Sequence, residues 1–480
     1  MSKLARKSLA LFTTLALSAG LLGLSSGASS ASTTNLGAAS ASNQATAASA
    51  ASTAPSWMKN AVIYQVNTRQ YSAAGTLDAV TADLGRLKKL GVDILWLMPI
   101  HPIGEVARKG SMGSPYSVAD YYGVNPDLGT AADFRELVDG AHAKGMKVIL
   151  DWVANHSSFD NPWITDHKNW YTQDGQGHVV PPNADWTDVA DLNFDVPEMR
   201  EGMIDALEYW VRDFGVDGYR CDVAWGVPVD FWNDATAALQ KIKPVYMLAE
   251  ADGNPALLQD AFLSDYGWKF KDLLMDFGLG IAGKADFAGY MGQQSLNYPT
   301  NTYPMLFVTN HDENSWTGSL KENFGTGAKT LAVLTFTVPG IPLIYNGQEV
   351  DSNKRLAFFE KDQIDWMLTS TRSKTAVAHY TKLVSLKTKN QALWNGAAGG
   401  KYTRFKNDSD KLISFEREKN GNKVIVVLNP SPRATTGTVE FGTQTKTFFK
   451  FSNGAKTKLA KKQKFSMKAW GYEIYSTVKP

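Results

Sequence analysis

The feature that most constrains the fold is a succession of eight short apolar runs separated by stretches with helical periodicity. The runs are apolar almost throughout, which is typical of parallel strands buried on both faces. Between them, apolar residues recur at i, i+3 and i+4 within capped segments, which indicates amphipathic helices. Eight strand–helix units in sequence predict an α/β protein with a closed (β/α)8 TIM barrel. The predicted strands cover residues 61–66, 93–98, 147–153, 217–223, 245–251, 272–277, 305–310 and 340–345.

Two of the helices carry clear boundary signals. Thr130 is the predicted N-cap of a helix that stops at Gly145, and Asp195 is the predicted N-cap of a helix that stops at Gly215. Ser, Thr, Asp and Asn side chains accept hydrogen bonds from the first free N–H groups of a helix, and glycine adopts the left-handed conformation that ends one.

The pattern changes after about residue 390, where short strand-like runs are separated by Gly, Asn, Asp, Ser or Lys. This spacing predicts a C-terminal antiparallel β-sandwich domain over residues 390–480. The catalytic barrel then covers residues 57–389 and includes a short insertion, residues 157–192, after the third strand. Long loops at the carboxyl ends of barrel strands are where barrel enzymes build their sites.

The N-terminus has the organisation of an export signal. Lys3, Arg6 and Lys7 precede a mostly apolar stretch, residues 9–24, and small residues follow. We expect a signal peptide over residues 1–31 and an Ala/Ser/Thr-rich linker over residues 32–56. Polar residues interrupt the apolar stretch, which disfavours a stable membrane span. The expected location is therefore secreted and extracellular.

The net charge of the chain limits the classes of partner that we expect. The 480 residues carry a formal net charge of only +2. Such a balance gives no field strong enough to attract nucleic acid or an anionic membrane, so neither is a predicted partner.

Charged and polar residues cluster at the ends of four predicted strands. A charged side chain is costly in apolar surroundings unless it is paired or used, so any one of these residues could be a structural ion pair. Four strand ends that meet at one barrel mouth predict a functional site instead. The residues are Asp151 and His156 for the third strand, Arg220 and Asp222 for the fourth, Glu250 for the fifth, and His311 and Asp312 for the seventh.

The segments DWVANH, GYRCDVA, LAEAD and FVTNHDEN, in this order, resemble the signature regions of the α-amylase family of glycoside hydrolases, glycoside hydrolase family 13. The similarity runs from about Trp57 through the C-terminal sandwich. It implies an α-glucan polysaccharide or oligosaccharide as substrate. It implies catalytic roles for Asp222 as nucleophile, Glu250 as general acid/base and Asp312 as a third, sugar-binding carboxylate. It implies substrate-binding roles for Arg220, His156, His311, Tyr116 and Asp151.

The proposed chemistry explains these residue types. Cleavage with retention needs an ionised carboxylate to attack the anomeric carbon and a protonated acid to donate to the leaving oxygen, about 5–5.5 Å apart. Arg220 and Asp222 are two residues apart, so on a strand both side chains point to one face. We expect Arg220 to lower the pKa of Asp222, and burial with like charge to raise the pKa of Glu250.

Several activities remain open within this family. The predicted activity is secreted hydrolysis of α-1,4-glucosidic bonds in starch or maltodextrins by double displacement. The alternatives are an α-glucanotransferase, and an α-glucosidase or oligo-1,6-glucosidase-like enzyme acting on oligosaccharides. A non-catalytic glucan-binding barrel predicts loss of the carboxylates, yet Asp222, Glu250 and Asp312 are all present.

Calcium is also left open. Many family members carry a Lys-His pair shortly after the nucleophile that helps bind this ion, and this chain has Trp225 and Gly226 there. Asn155 is the candidate ligand, because the family often places a ligand at this position. No cofactor is predicted beyond this ion.

Five further residues have weaker signals. Cys221 is expected to be a buried packing residue, and Asp120 a loop-fixing hydrogen bonder. His101 could line the site or structure a loop, and Trp316 could be a sugar platform or a core residue. His142 is expected at the surface of a helix.

Overall fold

The structure, a computed structural model, describes residues 54–479. The predicted signal peptide and nearly all of the predicted linker lie outside the described residues. Within residues 54–479, no helix combines the length and apolar character needed to cross a membrane.

Eight parallel strands form the barrel and confirm the predicted fold class. They pair in the order β6-β5-β4-β3-β2-β1-β8-β7, and a bridge between Tyr266 and Met305 joins the two outer strands. The strands are almost entirely buried, as near-continuous apolar runs predict. Their bounds are β1 Ile63–Val66, β2 Ile94–Leu97, β3 Lys147–Val153, β4 Gly218–Asp222, β5 Tyr246–Ala249, β6 Ser264–Asp265, β7 Met305–Leu306 and β8 Ile341–Tyr345.

Helices connect the strands and cover the outside of the barrel. The predicted cap at Thr130 is confirmed as a reciprocal box with Asp133. The predicted cap at Asp195 is wrong by one position, because Val196 precedes the helix without a side-chain cap. The helices are α1 Thr68–Tyr71, α2 Leu77–Leu90, α3 Ala131–Ala143, α4 Pro162–Asp166, α5 Pro197–Phe214, α6 Val229–Ile242, α7 Leu257–Asp260, α8 Trp268–Leu279, α9 Lys284–Asn297, α10 Leu320–Phe324, α11 Ala328–Thr337 and α12 Thr371–Lys389.

The sixth strand was wrongly predicted. Residues 272–277 belong to helix α8, and the strand is the short pair Ser264–Asp265. Phe270, Leu274 and Phe277 are buried at helical spacing, so the apolar run is one face of a helix. The actual strand is polar and two residues long, and both of its residues are buried.

The C-terminal part of the chain forms antiparallel sheets. A six-stranded sheet has the order β9-β11-β12-β17-β14-β15, and a three-stranded sheet has the order β10-β13-β16. A buried cluster that includes Phe405, Ile425, Val439 and Phe465 lies between them. The strands are β9 Lys401–Arg404, β10 Lys406–Asn407, β11 Ile413–Lys419, β12 Asn422–Leu428, β13 Thr435–Glu440, β14 Phe448–Lys450, β15 Lys456–Thr457, β16 Lys462–Met467 and β17 Tyr472–Ser476.

A buried carboxylate, Asp217, fastens the start of β4 to its surroundings. Its oxygens lie 2.6 Å from His142 Nε2, 3.2 Å from Lys147 Nζ and 3.1 Å from Lys243 Nζ. His142 is therefore partly buried in a contact between elements, where the sequence suggested only a surface position. Burial acts to raise the pKa of Asp217, but His142, Lys243 and the Val148 N–H outweigh it and lower the pKa to about 2.

This network predicts an acid-sensitive contribution to stability. Because the pKa of Asp217 is lower in the folded protein than in the unfolded chain, its contribution is present above about pH 4 and is lost as the pH falls toward 2. Asp217→Asn is expected to reduce the free energy of unfolding at pH 7 by about 2–3 kcal/mol. Denaturant unfolding at several pH values from 7 to 3 should show that the difference in the free energy of unfolding between variant and parent becomes smaller as the pH falls. A difference that does not change with pH would contradict this.

Candidate active site

The strand ends bring the predicted residues to one mouth of the barrel. Arg220 and Asp222 lie in β4, which runs beside β3 and β5. Asp151 lies in β3 and is paired in register with Arg220, while Glu250 directly follows β5. His311 and Asp312 follow β7 on the other side of the barrel. The predicted convergence is therefore present at the carboxyl ends of the strands.

A single buried guanidinium, Arg220, lies at the centre of the site. Its Nη1 donates to Asp151 Oδ1 at 2.6 Å and to Asp222 Oδ1 at 2.9 Å. Its Nη2 lies 2.7 Å from Glu250 Oε1, and its Nε donates to the Tyr266 hydroxyl at 2.9 Å. One arginine thus contacts three carboxylates from three neighbouring strands. This side chain has no exposed surface, so these contacts are little screened by solvent.

The shared arginine limits the separation of the two predicted catalytic carboxylates. Because both Nη atoms belong to one planar fork, Asp222 Oδ1 and Glu250 Oε1 are at most about 8 Å apart. This limit includes the spacing of about 5–5.5 Å expected for retaining enzymes. Glu250 is further fixed by its Oε2, which accepts from the Val223 N–H at 2.8 Å.

A second chain of hydrogen bonds fixes the residues across the barrel. Gln65 Nε2 donates to His311 Nδ1 at 2.7 Å, and His311 Nε2 lies 2.6 Å from the Tyr116 hydroxyl. That hydroxyl donates to Asp151 Oδ2 at 3.0 Å. In this arrangement His311 carries its proton on Nε2, and burial lowers its pKa well below the ordinary value, which keeps the ring neutral. Nε2 also lies 3.2 Å from Asp312 Oδ2.

These groups border a cleft of about 520 Å³, a size typical of small-ligand sites. Asp222, Glu250 and Asp312 all line it. Asp151 and Arg220 do not, because both are fully buried behind the lining. They were predicted to bind substrate, and their position corrects this to support of the residues that face the cleft. The remaining lining residues are Lys109, Ser114, Tyr116, His156, Trp186, Asp188, Val189, Val223, His311, Trp316, Phe358 and Phe359.

Several residues of the site were not found from the sequence. Trp96, Tyr266 and Gln65 are buried on or beside barrel strands, where nothing in the sequence separates them from core residues. Lys109 and Asp188 come from different long loops, and their side chains pair at 2.8 Å beside the cleft. The length of those loops was the only signal available.

The structure shows which of the residues with weaker sequence signals line the cleft and which do not. Trp316 is half exposed and lines the cleft, as a sugar platform requires. His101 is buried away from the cleft, with Nδ1 3.2 Å from the Gly123 carbonyl, so it structures a loop. Cys221 is buried in the core, and Asp120 accepts from the Tyr122 N–H within its own loop.

The electrostatics of the site depart from the expectation for the nucleophile. Burial raises the pKa of Asp222 well above its ordinary value and Glu250 adds to this, while Arg220 opposes it. Burial likewise raises the pKa of Asp312 to about 7 and that of Asp151 to about 6. Arg220 acts in the predicted direction but does not outweigh burial. Because three carboxyl groups contact one guanidinium and Asp312 lies nearby, we expect the cluster to retain a proton near neutral pH.

The part of the chain that the structure describes offers few side chains that could bind a metal ion. Within residues 54–479, no group of three or more His, Cys, Asp or Glu side chains is arranged to hold one. Asn155 Nδ2 lies 3.2 Å from His156 Nδ1, and Asn155 Oδ1 lies 2.7 Å from the position a Cβ would take at Gly226. The glycine thus allows the amide to pack against this turn, and Asn155 positions His156.

Comparison with known families identifies the chain. The model "Alpha amylase, catalytic domain" matches residues 46–187 and 183–392, and "Alpha amylase, C-terminal all-beta domain" matches residues 402–479. This chain belongs to the α-amylase family. It is therefore a glycoside hydrolase of the α-amylase type that acts on α-glucans.

Individual relatives agree with this membership. Alpha-amylase MalA of Haloarcula japonica is 28% identical over 81% of this chain, which spans 58% of that protein's length. Alpha-amylase 3 of Dictyoglomus thermophilum is 27% identical over 78% of this chain and 85% of its own. A cyclomaltodextrinase of Bacillus sp. is 26% identical over 78% of this chain and 73% of its own.

Solved structures extend the similarity to the whole fold. An alpha-amylase from Lactobacillus plantarum superposes with a TM-score of 0.77 and 32% identity, covering 88% of this chain and 100% of its own. A noncanonic maltogenic alpha-amylase, AmyB, from Thermotoga neapolitana has a TM-score of 0.77 and 29% identity, covering 87% of this chain and 99% of its own.

Proposed function

We propose that this family member is a secreted, retaining hydrolase that cleaves α-1,4-glucosidic bonds of starch or maltodextrins. The proposal rests on one observation. Asp222, Glu250 and Asp312 all line one cleft, and Arg220 is buried beneath them. Retaining cleavage needs one carboxylate nucleophile and one acid within a short distance, and the shared arginine holds two such groups.

In the first step, an oxygen of Asp222 attacks the anomeric carbon of the bound sugar. The bond to the leaving glycosidic oxygen breaks, and that oxygen takes the proton of Glu250. The products are a glycosyl ester on Asp222, an ionised Glu250 and a released chain with a free hydroxyl. The step requires an ionised Asp222 and a protonated Glu250 when the substrate reacts.

In the second step, Glu250 takes a proton from water and the water oxygen attacks the same carbon. The ester bond breaks, Asp222 is released as a carboxylate, and Glu250 is again protonated. Two displacements at one carbon leave its configuration unchanged, so the first product is the α-anomer.

The other lining residues position the sugar. Asp312 presents its carboxylate oxygens to sugar hydroxyls, and His311, whose Nε2 lies 3.2 Å from Asp312 Oδ2, packs beside it in the wall of the cleft. Tyr116 stacks 5.5 Å from His311 and 6.1 Å from Phe358, which gives the cleft an aromatic wall for a pyranose ring. Trp316 adds a ring 5.3 Å from Phe358. Apolar sugar faces pack on such surfaces.

The activities for which the relatives are named support an α-glucan substrate and leave several outcomes to be tested. The relatives include alpha-amylases, cyclomaltodextrinases and a maltosyltransferase of Picrophilus torridus. We favour hydrolysis of a polymer because residues 1–31 have the pattern of an export signal and large glucans cannot enter a cell. Mass analysis of protein from the culture medium tests export, and recovery of the protein only inside cells would contradict it.

The activity is tested with purified protein and three substrates. Amylose, pullulan and isomaltose are incubated separately, and products are identified by chromatography while NMR follows the first anomer formed. We expect α-anomeric products from amylose and none from isomaltose. Redistribution of chain lengths without new reducing ends would indicate a transferase. Attack on isomaltose alone would indicate the oligo-1,6-glucosidase alternative, and either result overturns the proposal.

The half-exposed Trp316 gives a prediction about binding. Trp316→Ala removes a platform at the cleft, and an aromatic contact of about 1 kcal/mol corresponds to about a fivefold rise in KM for maltooligosaccharides. The turnover number should change less, because the ring does not touch the reacting atoms. Trp316→Phe keeps an aromatic face and should restore most of the affinity. An unchanged KM in the alanine variant would contradict the role.

A further inference from the structure

A short part of the long loop after β2 crosses the catalytic cleft at one end. We call residues 105–113 the bridging segment. It carries Lys109, which lines the cleft together with Asp188 of the insertion after β3 and Phe359 of the loop after β8. The insertion and the loop after β8 form two sides of the cleft, so the contacts of the bridging segment with each of them decide whether this end is open. The catalytic steps use none of its residues.

The side chain of Lys109 joins the bridging segment to the insertion. Its Nζ lies 2.8 Å from Asp188 Oδ1 and donates to the Asp185 carbonyl at 3.0 Å. Asp188 is only 4% exposed, and a carboxylate so far withdrawn from water needs a partner. Lys109 supplies that partner, and the bridging segment is thereby fixed to one side of the cleft.

Backbone contacts join the bridging segment to the loop after β8. The Met112 N–H donates to the Phe359 carbonyl at 3.0 Å, and the Ser111 N–H donates to Glu360 Oε1 at 3.1 Å. Gly110 has a φ of +62°, and a Cβ there would lie 2.5 Å from Phe359 Cβ. Glycine therefore allows this close approach, and the segment reaches from one side of the cleft to the other.

A buried arginine holds the same segment from the barrel. Arg69 lies in α1 and is 8% exposed. Its Nη1 donates to the Gly113 carbonyl at 2.9 Å, and its Nη2 donates to the Met112 carbonyl at 3.3 Å. The bridging segment thus has polar contacts with the insertion, the loop after β8 and the barrel, which make it a fixed wall.

The wall lies on the side of the cleft away from the acid. The chain leads from the bridging segment to Tyr116, whose hydroxyl donates to Asp151 Oδ2 at 3.0 Å. Asp151 and Asp222 both contact Nη1 of Arg220, whereas Glu250 contacts Nη2. Because Glu250 donates to the leaving oxygen, the released part of the glucan extends past Glu250. The part that is retained extends toward Tyr116 and the bridging segment.

We propose that the bridging segment closes the cleft to the non-reducing end of the glucan, so that the enzyme removes short maltooligosaccharides from chain ends. In an α-1,4-glucan, the sugar attacked at its anomeric carbon lies on the non-reducing side of the bond that breaks. A chain bound by its interior would have to continue through the wall that contains Lys109 and Phe359. The assignment rests on the proposed function, because the closed end governs how that substrate enters the same cleft.

The parent enzyme tests the closed end with two linear substrates. A nitrophenyl maltoheptaoside is supplied either free or with a benzylidene acetal on its non-reducing sugar. We expect the blocked substrate to be cleaved about 100-fold more slowly, which is the order of selectivity that a pocket exerts against a group too large for it. On amylose, iodine staining should fall slowly relative to the release of reducing ends. Equal rates for the two heptaosides, or a rapid loss of staining, would overturn the proposal.

Replacement of Lys109 tests the bridging segment itself. Lys109→Ala removes the contact with the insertion and part of the wall, so the rate on the blocked substrate relative to the free one should rise about tenfold. Lys354→Ala is the matched control, because this lysine also contacts an aspartate, Asp362, and donates to a backbone carbonyl, that of Gln363 at 2.8 Å, but does not line the cleft. Its ratio should equal that of the parent.

The ratio compares two substrates on one protein preparation, so a smaller folded fraction in a variant does not change it. Lys109→Arg keeps a cation beside Asp188 and should keep the low ratio of the parent. The same ratio in Lys109→Ala as in Lys354→Ala would show that the bridging segment does not close the cleft.

Binding separates this proposal from the proposed function. Glu250→Gln is titrated calorimetrically with the free and the blocked heptaoside, and the free one should bind more tightly. If the parent enzyme does not hydrolyse α-1,4 bonds, the proposed function is wrong, and the two affinities still decide whether the end is closed. If hydrolysis proceeds and both substrates react equally, only the closed end is wrong.

Discussion

Asp222→Asn is expected to abolish turnover of α-1,4-glucans, with a loss larger than the factor of about 10²–10⁴ that a general acid supplies. The amide cannot form the glycosyl ester, so the double displacement has no first step. Glu250→Gln should lower kcat by about 10²–10⁴-fold, because the leaving oxygen is then released without a proton. Both are measured as reducing ends released from amylose. Near-normal activity in either folded variant contradicts the assigned roles.

Azide distinguishes the two roles by stereochemistry. With α-maltosyl fluoride, whose leaving group needs no acid, Asp222→Ala leaves room for azide to attack from the nucleophile's side and form the β-glycosyl azide. In Glu250→Ala the ester on Asp222 still forms, and azide then displaces it to give the α-glycosyl azide. NMR of the products shows which anomer of the glycosyl azide each variant forms. The same anomer from both variants would show that the roles are misassigned.

Replacement of Arg220 is expected to have the largest effect on stability. Arg220→Met leaves Asp151, Asp222 and Glu250 without the cation that contacts all three, and breaking a buried ion pair costs about 3–5 kcal/mol. Activity should also fall, because Asp222 and Glu250 lose the group that holds both. Denaturant unfolding at pH 8 and kcat on amylose measure the two effects.

The loss of stability in Arg220→Met should depend on pH. Burial already raises the pKa of Asp312 to about 7 and that of Asp151 to about 6, and removing a cation that opposes this raises them further. The folded variant therefore binds protons more tightly than the unfolded chain, so its stability increases as the pH falls from 8 toward 5. A loss in the free energy of unfolding that is as large at pH 5 as at pH 8 would contradict this explanation.

A second change separates stability from catalysis. Asp151→Asn removes one of the carboxylates left unpaired, so in Arg220→Met it should recover part of the lost stability. Asp151 does not face the cleft, so the double variant should remain inactive. If stability is not recovered, the ion pair is not the source of the loss.

The strand ends show why the three carboxylates could be predicted. Asp222 and Glu250 come at the ends of strongly apolar runs, and the barrel fold brings the carboxyl ends of all its strands to one mouth. The resemblance to the α-amylase family then supplied roles for each. The sixth strand could not be found in this way, because Ser264–Asp265 has no apolar pattern, while the helix that follows has one.

The buried residues that support the cleft from behind could not be predicted from sequence patterns. Tyr266 accepts from Arg220, Trp96 Nε1 donates to Asp151 Oδ2 at 3.1 Å, and Gln65 donates to His311. Each of the three is nevertheless a strand or barrel-core residue like its neighbours in the sequence. Contacts between segments so distant in the chain leave no periodic signal.

The sequence by itself determined the barrel, the antiparallel C-terminal domain and the three carboxylates on the cleft. Local periodicity and side-chain chemistry fix these features, because strands buried on both faces must be apolar and charges at their ends need a partner or a use. Only the tertiary structure decided that one buried guanidinium serves three carboxylates, and that burial outweighs it in raising the pKa of Asp222. Burial and electrostatic balance depend on distances across the barrel, which exist only once the chain has folded.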